Sequence, residues 1–307
     1  MEAPLDLPAL IKEIGRGARG ARDLSMAQAE RLFGAMLDGE VDDLRLGAVV
    51  LGLRVKGESV DELAGFEAAL RPRTAPLARP AGPRPVLLPT LNGARKLVNL
   101  MPLLALQLAR QGVPVLVHGR SDFGAARGDS FALMAALGQP CCTSRGDAEQ
   151  RLREQCIAVL PTAAICPGLD ALLALRERIG LRNSAHTLAK LLDPFAGQGV
   201  KIVAVTHGDF YERLATLLPR LGSAVLLKGC EGEAYPHPRR PSSLQAWRDG
   251  QPQPLAAAEG EDAALIETQG DCADAGRIQD WLAAGPEAWP LRLRELYEAV
   301  LMLSRNN

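Results

Sequence analysis

Along the first 70 positions, apolar residues recur at helical spacing, with Leu32, Met36, Leu46, Val49, Val50 and Leu53 marking the inward faces. Ser25 and Gln28 predict a capping box for a helix over SMAQAERLFGAML, with Gly39 as its stop. Asp42 predicts the cap of a second helix that runs to Lys56 and ends at Gly57. Ser59 and Glu62 cap a third, which Pro72 terminates. Such helices form a small bundle with faces left over for packing.

Beyond residue 85 the pattern changes. Short β-rich runs appear at VLLPT (86–90), VPVLVHG (113–119), CIAVLPT (156–162), VKIVAV (200–205) and SAVLLKG (223–229). Helix-like stretches separate them, including LVNLMPLLALQLARQ (97–111), where Pro102 is tolerable only near the first turn. Later ones are FALMAALG, FYERLATLLPRLG, RIQDWLAAG and LRLRELYEAVLMLS. This alternation predicts an α/β class: a small all-helical N-terminal domain, then a larger domain with a central, mostly parallel or mixed sheet flanked by helices. The predicted boundaries are a helical domain over 1–72, a Pro/Arg-rich linker over 73–85, and an α/β domain over 86–167 and 193–307. The long helical stretch GLDALLALRERIGLRNSAHTLAKLLDP (168–194) interrupts the alternation, and its helices within 168–192 are expected to complete the helical domain.

At 307 residues, 47% hydrophobic and 23% charged, the composition is that of an ordinary soluble globular chain. No run approaches the roughly 18–20 apolar residues of a membrane span. The start, MEAPLDLPALIKEIG, lacks a signal pattern, so a cytoplasmic location and no membrane partner are expected. The six cysteines form no CxxC pair and have no histidine at zinc spacing, so reduced structural thiols are expected, with no metal site. Charge is uneven: residues 71–128 carry nine basic side chains and one acidic, Asp122, whereas 241–307 carry five basic and eleven acidic. A basic block in a near-neutral chain creates a local positive field, unless it is only a solvated connector.

Four basic elements follow from this. IGRGARGARD spaces Arg16, Arg19 and Arg22 among glycines, giving either an arginine loop that tracks phosphates or a solvated turn. LPTLNGARK (88–96) ends a strand and is expected to open a helix, where Asn92, Arg95, Lys96 and free backbone N–H groups can take phosphate. Arg176, Arg178, Arg182 and Lys190 form a third series, although Gly180 breaks its periodicity and Arg178 can instead pair with an acid. Lys228, Tyr235, His237, Arg239 and Arg240 combine cations with an aromatic able to stack on a base. With only 4% aromatic residues, sequence-specific base reading is not expected.

The stretches MLDGEVDDLRLGAVVLGLRVKGESVDEL and RERIGLRNSAHTLAKLLDP resemble the anthranilate phosphoribosyltransferase family (glycosyltransferase family 3) over nearly the whole chain. The resemblance implies a nucleoside phosphorylase/phosphoribosyltransferase-like fold and a homodimer formed through the helical domains. It also implies where chemistry should be. The family's Gly-Thr-Gly-Gly-Asp pyrophosphate loop falls on Pro89, Thr90, Leu91, Asn92 and Gly93, of which only the threonine is kept. Its Lys-His-Gly-Asn-Arg motif falls on Val117, His118, Gly119, Arg120 and Ser121, without the lysine. Its magnesium-holding Asp-Glu pair falls on Ala234 and Tyr235, with Glu231 and Glu233 close by. Arg182 falls on the anthranilate-contacting arginine, and His186 stands where many members have asparagine.

KEIGRG (12–17), the NGARK loop and RNSAHTLAK (182–190) resemble a YbiB-type subgroup, for which nucleic-acid binding rather than transfer is implied. The expectation is therefore a homodimer binding nucleic acid, single-stranded DNA before any defined sequence, with no cofactor and no catalytic residues. The alternative is a transferase acting on another phosphorylated or nucleoside substrate, with Thr90, His118, Gly119, Arg182 and Glu231 lining its cleft.

Overall fold

Side-chain caps mark several of the helix starts, Ser25, Asp42 and Ser59 among them. The computed structural model describes residues 5–17, 20–121, 128–237, 240, 242–255 and 267–305. In chain order its first helices are α1 (Leu7–Ile14), α2 (Met26–Leu37), α3 (Asp43–Lys56), α4 (Val60–Leu70), α5 (Met101–Arg110), α6 (Ser130–Ala136) and α7 (Arg145–Gln155). Then come α8 (Thr162–Ile165), α9 (Pro167–Ile179), α10 (Ala185–Leu188), α11 (Gly208–Leu217), α12 (Asp271–Ala284) and α13 (Leu291–Ser304). The strands are β1 (Val86–Thr90), β2 (Val115–Gly119), β3 (Ile157–Pro161), β4 (Val200–Val205), β5 (Ala224–Lys228), β6 (Gln245–Arg248) and β7 (Gln251–Gln253). The chain divides into two compact units, Met1–Ala75 with Thr162–Leu192, and Pro76–Pro161 with Asp193–Asn307.

In the helical unit, Ser25 and Gln28 cap each other's backbone N–H groups at 3.3 and 3.0 Å, opening α2. Asp42 accepts from the Arg45 N–H at 3.1 Å to open α3, and Gly57 closes that helix with φ 79°. The Glu62 carboxylate does more than cap α4. Fully buried, it accepts from the Ser59 and Leu24 N–H groups and from Lys56 Nζ, at 2.8, 2.9 and 2.7 Å. Its loss would leave the buried Leu24 N–H and the half-buried Ser59 and Lys56 donors without this acceptor, at a penalty. Phe33 of α2 stacks on Phe66 of α4 with ring centres 4.7 Å apart. The start of α9 meets the end of α2 at backbone distance: a Cβ on Gly168 would sit 2.1 Å from the Leu37 carbonyl oxygen.

In the second unit, β1 to β5 have nearly every residue buried, as suits a sheet covered on both faces. The strand order is β3-β2-β1-β4-β5-β6-β7, parallel through β5 and antiparallel at β6 and β7. The expected α/β class with a mixed, helix-flanked sheet is thus the one found. Strand order reverses between β1 and β4, the topological switch point beyond whose carboxyl ends open α/β sheets hold ligands. There β1 pairs with β4 only at Val86 and Leu87, whereas it pairs with β2 along all five residues to Thr90. The strands part toward their carboxyl ends, and loops fill the gap.

Candidate functional site

The residues after β1 do not open a helix, contrary to the expectation for LPTLNGARK. They form an irregular loop, and α5 begins only at Met101, with Pro102 in its first turn and Asn99 accepting the Met101 N–H at 3.1 Å. The reason is local: Asn99 offers a side-chain alternative to the helical ladder, and Pro102 is at ease only at a helix start.

Five backbone N–H groups of this loop point at two carboxylates. Leu91, Asn92 and Gly93 donate to Glu233 Oε1 at 3.2, 2.8 and 3.0 Å. Arg95 donates to Glu231 Oε2 at 2.5 Å and Lys96 to Glu231 Oε1 at 3.1 Å. Successive N–H groups converging on an anion form a nest, the backbone device that binds phosphates elsewhere. Here the anions come from the chain itself. The second oxygen of Glu233 accepts from Ser130 Oγ at 3.3 Å, and that hydroxyl accepts from Thr90 Oγ1 at 2.6 Å and Asn99 Nδ2 at 2.8 Å. Glu233, Thr90, Ser130 and Asn99 are all buried, so the carboxylate exchanges water for a closed set of donors.

The loop after β5 is shaped to deliver these acids. Glu231 sits in the left-handed region at φ 52°, and Gly232 follows at φ 90°. A Cβ on Gly232 would lie 2.6 Å from Asn92 Nδ2, and one on Gly229 would lie 2.6 Å from the Glu233 carbonyl oxygen. Asn92 Nδ2 in turn donates to the Gly232 carbonyl at 2.9 Å.

Several expected roles change accordingly. Asn92 is buried and clamps two loops together, so it is not a phosphate contact. Glu231 faces the backbone of the 91–96 loop rather than lining an open cleft, and Thr90 is closed into the Ser130 network. Both ring nitrogens of His118 are buried without a hydrogen-bond partner among the described residues, and burial draws its pKa down to about 4; it is a neutral core residue, not a ligand for phosphate. Gly119 packs against β1, where a Cβ would overlap the Thr90 carbonyl. Tyr235 is fully buried, its hydroxyl donating to the Val98 carbonyl at 3.4 Å, and cannot stack on a base. By contrast, Arg95 and Arg240 are exposed and Lys96 lies at the surface of the same loop, while Arg239 lies outside the described residues.

In the helical unit, Glu13 lies between Arg16 at 2.5 Å and Arg22 at 3.8 Å; Arg19 lies outside the described residues. Arg178 pairs with Asp43 at 2.8 Å on the surface, a contact that solvent screens. His186 is buried, and its pKa is drawn down to about 3 by burial first and then by Arg182, Arg176 and Lys190. Those three cations therefore share one neighbourhood, which Gly180 does not disperse.

Sequence reasoning missed Ser130 and Asn99, saw in Glu233 only a metal possibility, and gave Glu231 that role or a place lining the alternative cleft. Two acids flanking a glycine were the available signal. At the positions implied for magnesium, Ala234 and Tyr235 are buried and supply no carboxylate, and both nearby glutamates are taken by backbone donors, so the residues do not fit the ion.

Residues 8–73 match a family model described as a glycosyl transferase family helical bundle domain. The chain is 44% identical over 239 residues to Escherichia coli K12 YbiB, itself described as uncharacterized, covering 77% of this chain and 74% of that one. It is 29% identical over 228 residues to the anthranilate phosphoribosyltransferase of Persephonella marina, covering 73% of this chain and 66%, just under two thirds, of that enzyme. In fold it resembles the crystal structure of the Thermus thermophilus anthranilate phosphoribosyltransferase, with a TM-score of 0.72 at 22% identity over 96% of this chain and 94% of that one.

Proposed function

The chain belongs to the anthranilate phosphoribosyltransferase-like family, glycosyltransferase family 3, and on that premise we propose that it binds nucleic acid non-specifically instead of transferring a phosphoribosyl group. One observation carries the reading. The five backbone donors of the 91–96 loop are taken by Glu231 and Glu233, while the Arg95 and Lys96 side chains stay at the surface. Phosphoribosyl transfer relies on fixed donors and metal to hold a leaving pyrophosphate. A loop whose donors already hold two carboxylates supports no such step. Long cationic side chains, in contrast, meet phosphates from the surface and need no cradle.

Arg16 and Arg22, exposed on the helical unit, are further cations of this kind, and the half-buried Arg176, Arg182 and Lys190 around His186 add positive charge. Phosphate contacts of this sort read charge and not sequence, which suits a chain poor in aromatic residues.

The same reading makes the protein a cytoplasmic homodimer. On α3, Leu44, Leu51 and Val55 recur at helical spacing and are 84%, 49% and 63% exposed, an apolar stripe of the kind that a second copy covers. Family resemblance supplies the occupant. No described helix is long and apolar enough to cross a membrane.

Calorimetry discriminates between the two chemistries. Single-stranded DNA titrated at low salt should give heat, and phosphoribosyl pyrophosphate plus magnesium should give none. Tight, metal-dependent binding of phosphoribosyl pyrophosphate would restore the transferase reading.

A further inference from the structure

We propose that a cavity at the amino ends of the strands binds a small monocarboxylate with an apolar tail. It lies within the sheet unit, at the end of the sheet opposite the 91–96 loop, and stands apart from the nucleic-acid reading.

The topology makes the cavity. Because β1, β2 and β3 run parallel, the helices between them return the chain to the amino edge and end there. Arg110 closes α5, Leu137 follows α6, Gln155 closes α7 and Ile157 opens β3, and α12 completes the wall with Gln279 and Leu282. Together they enclose about 360 Å³, at the small end of the range for ligand sites.

Two kinds of surface meet there. Ile157 and Leu282 are buried in the core of the unit, and Leu106 and Leu137 are half-buried against it. The polar part of the lining is Arg110 with the amides of Gln139, Gln155 and Gln279. Among the described residues, none of these three amides has a hydrogen-bond partner, and no aspartate or glutamate lines the cavity. Arg110 Nη1 donates to the Leu282 carbonyl at 3.0 Å, which tethers the guanidinium to the wall. It pairs with no acid among the described residues, so most of its donors stay open.

Helix ends of this kind ordinarily attract cations, through the partial negative charge on their last carbonyls. Here those carbonyls are already taken. The N–H groups of Gln111, Gly112 and Val113 donate to the Gln107, Ala109 and Leu108 carbonyls at 3.2, 2.9 and 3.1 Å, closing α5. Those of Leu137, Gly138 and Gln139 do the same for α6, at 3.1, 2.9 and 2.8 Å. The charge that the lining presents is therefore positive, and it is Arg110's.

The ligand class follows from this balance. A carboxylate matches a guanidinium fork with two parallel hydrogen bonds, and the free amides can donate to the same group. A short apolar tail gains by leaving water for the leucine and isoleucine wall. A second acidic group would find no second cation in the lining. A wholly apolar ligand would take water from the guanidinium and return no partner.

The test titrates sodium octanoate, below its micelle concentration, into the full chain and follows the methyl NMR signals of Ile157 and Leu137. Octanol serves as the neutral probe and R110M as the variant, since Arg110 is exposed and methionine keeps an apolar stem there. Wild-type shifts should saturate. R110M should bind octanoate at least about tenfold more weakly, as expected for the loss of hydrogen bonds to a charged group. Octanol should bind the wild type no better than octanoate binds R110M. Shifts that fail to saturate would overturn the proposal, as would equal octanoate affinity in R110M and wild type, or octanol binding as tightly as octanoate. If R110M does not fold, octanoate against octanol in the wild type decides.

Discussion

At His118 the imidazole is enclosed with neither nitrogen hydrogen-bonded among the described residues, and burial draws its pKa down to about 4. An unfolded histidine titrates near 6.5. Between those values the unfolded chain takes up a proton that the folded chain refuses, so stability is complete above pH 6.5 and is lost as pH falls toward 4. His186, drawn down to about 3, acts in the same direction. His118→Leu sacrifices no hydrogen bond and should remove about 2 kcal/mol of the stability lost between pH 7 and pH 5. Urea unfolding at the two pH values checks this, and equal losses in wild type and variant would contradict it. Asn92 and Tyr235 carry a related lesson: their side-chain chemistry suited a ligand, but burial set by strands distant in sequence assigned them to structure. Arg95 and Lys96, just beyond the buried turn, were legible because long charged side chains are seldom buried without a partner.

Elements were legible where a local rule decided them. Both capping boxes were readable from residues three apart, and the β1 to β5 runs were readable from buried apolar stretches. The antiparallel β6 and β7 were not: they are four and three residues long, and Gln251, Pro252 and Gln253 show no strand pattern. The 91–100 loop was misread because its apolar spacing continues into α5, whereas its conformation is set by acids some 140 residues away. That long-range closure yields a comparison between two glycines. Gly39 has φ 73° with open space around it, whereas Gly232 has φ 90° with its missing Cβ 2.6 Å from Asn92 Nδ2. Gly39→Ala should cost about 1 kcal/mol, for backbone strain alone. Gly232→Ala should cost at least about 2 kcal/mol, because the clash adds to that strain. Chemical denaturation of both variants gives the answer, and equal costs would mean that the 230–236 loop yields freely.

For the molecule as a whole, the proposals divide between the two compact units. The helical unit bears the apolar α3 stripe, and with it the homodimer proposal. Leu51→Glu with Val55→Glu should give a folded chain sedimenting at its 32.7 kDa mass, with the wild type at twice that; a monomeric wild type would remove the dimer. The sheet unit bears the filled donor loop and the surface cations Arg95 and Lys96. Charge was legible along the sequence as a basic block, but which of its cations remain at the surface required the fold.

The most direct test of nucleic-acid binding through surface cations is a titration of single-stranded DNA at several salt concentrations, with wild type and the R95A/K96A variant. Wild-type affinity should fall steeply with salt, and the log–log slope should be about 1.4 shallower in the variant, at roughly 0.7 for each of two lost phosphate contacts. Absent or salt-insensitive binding by the wild type would contradict it.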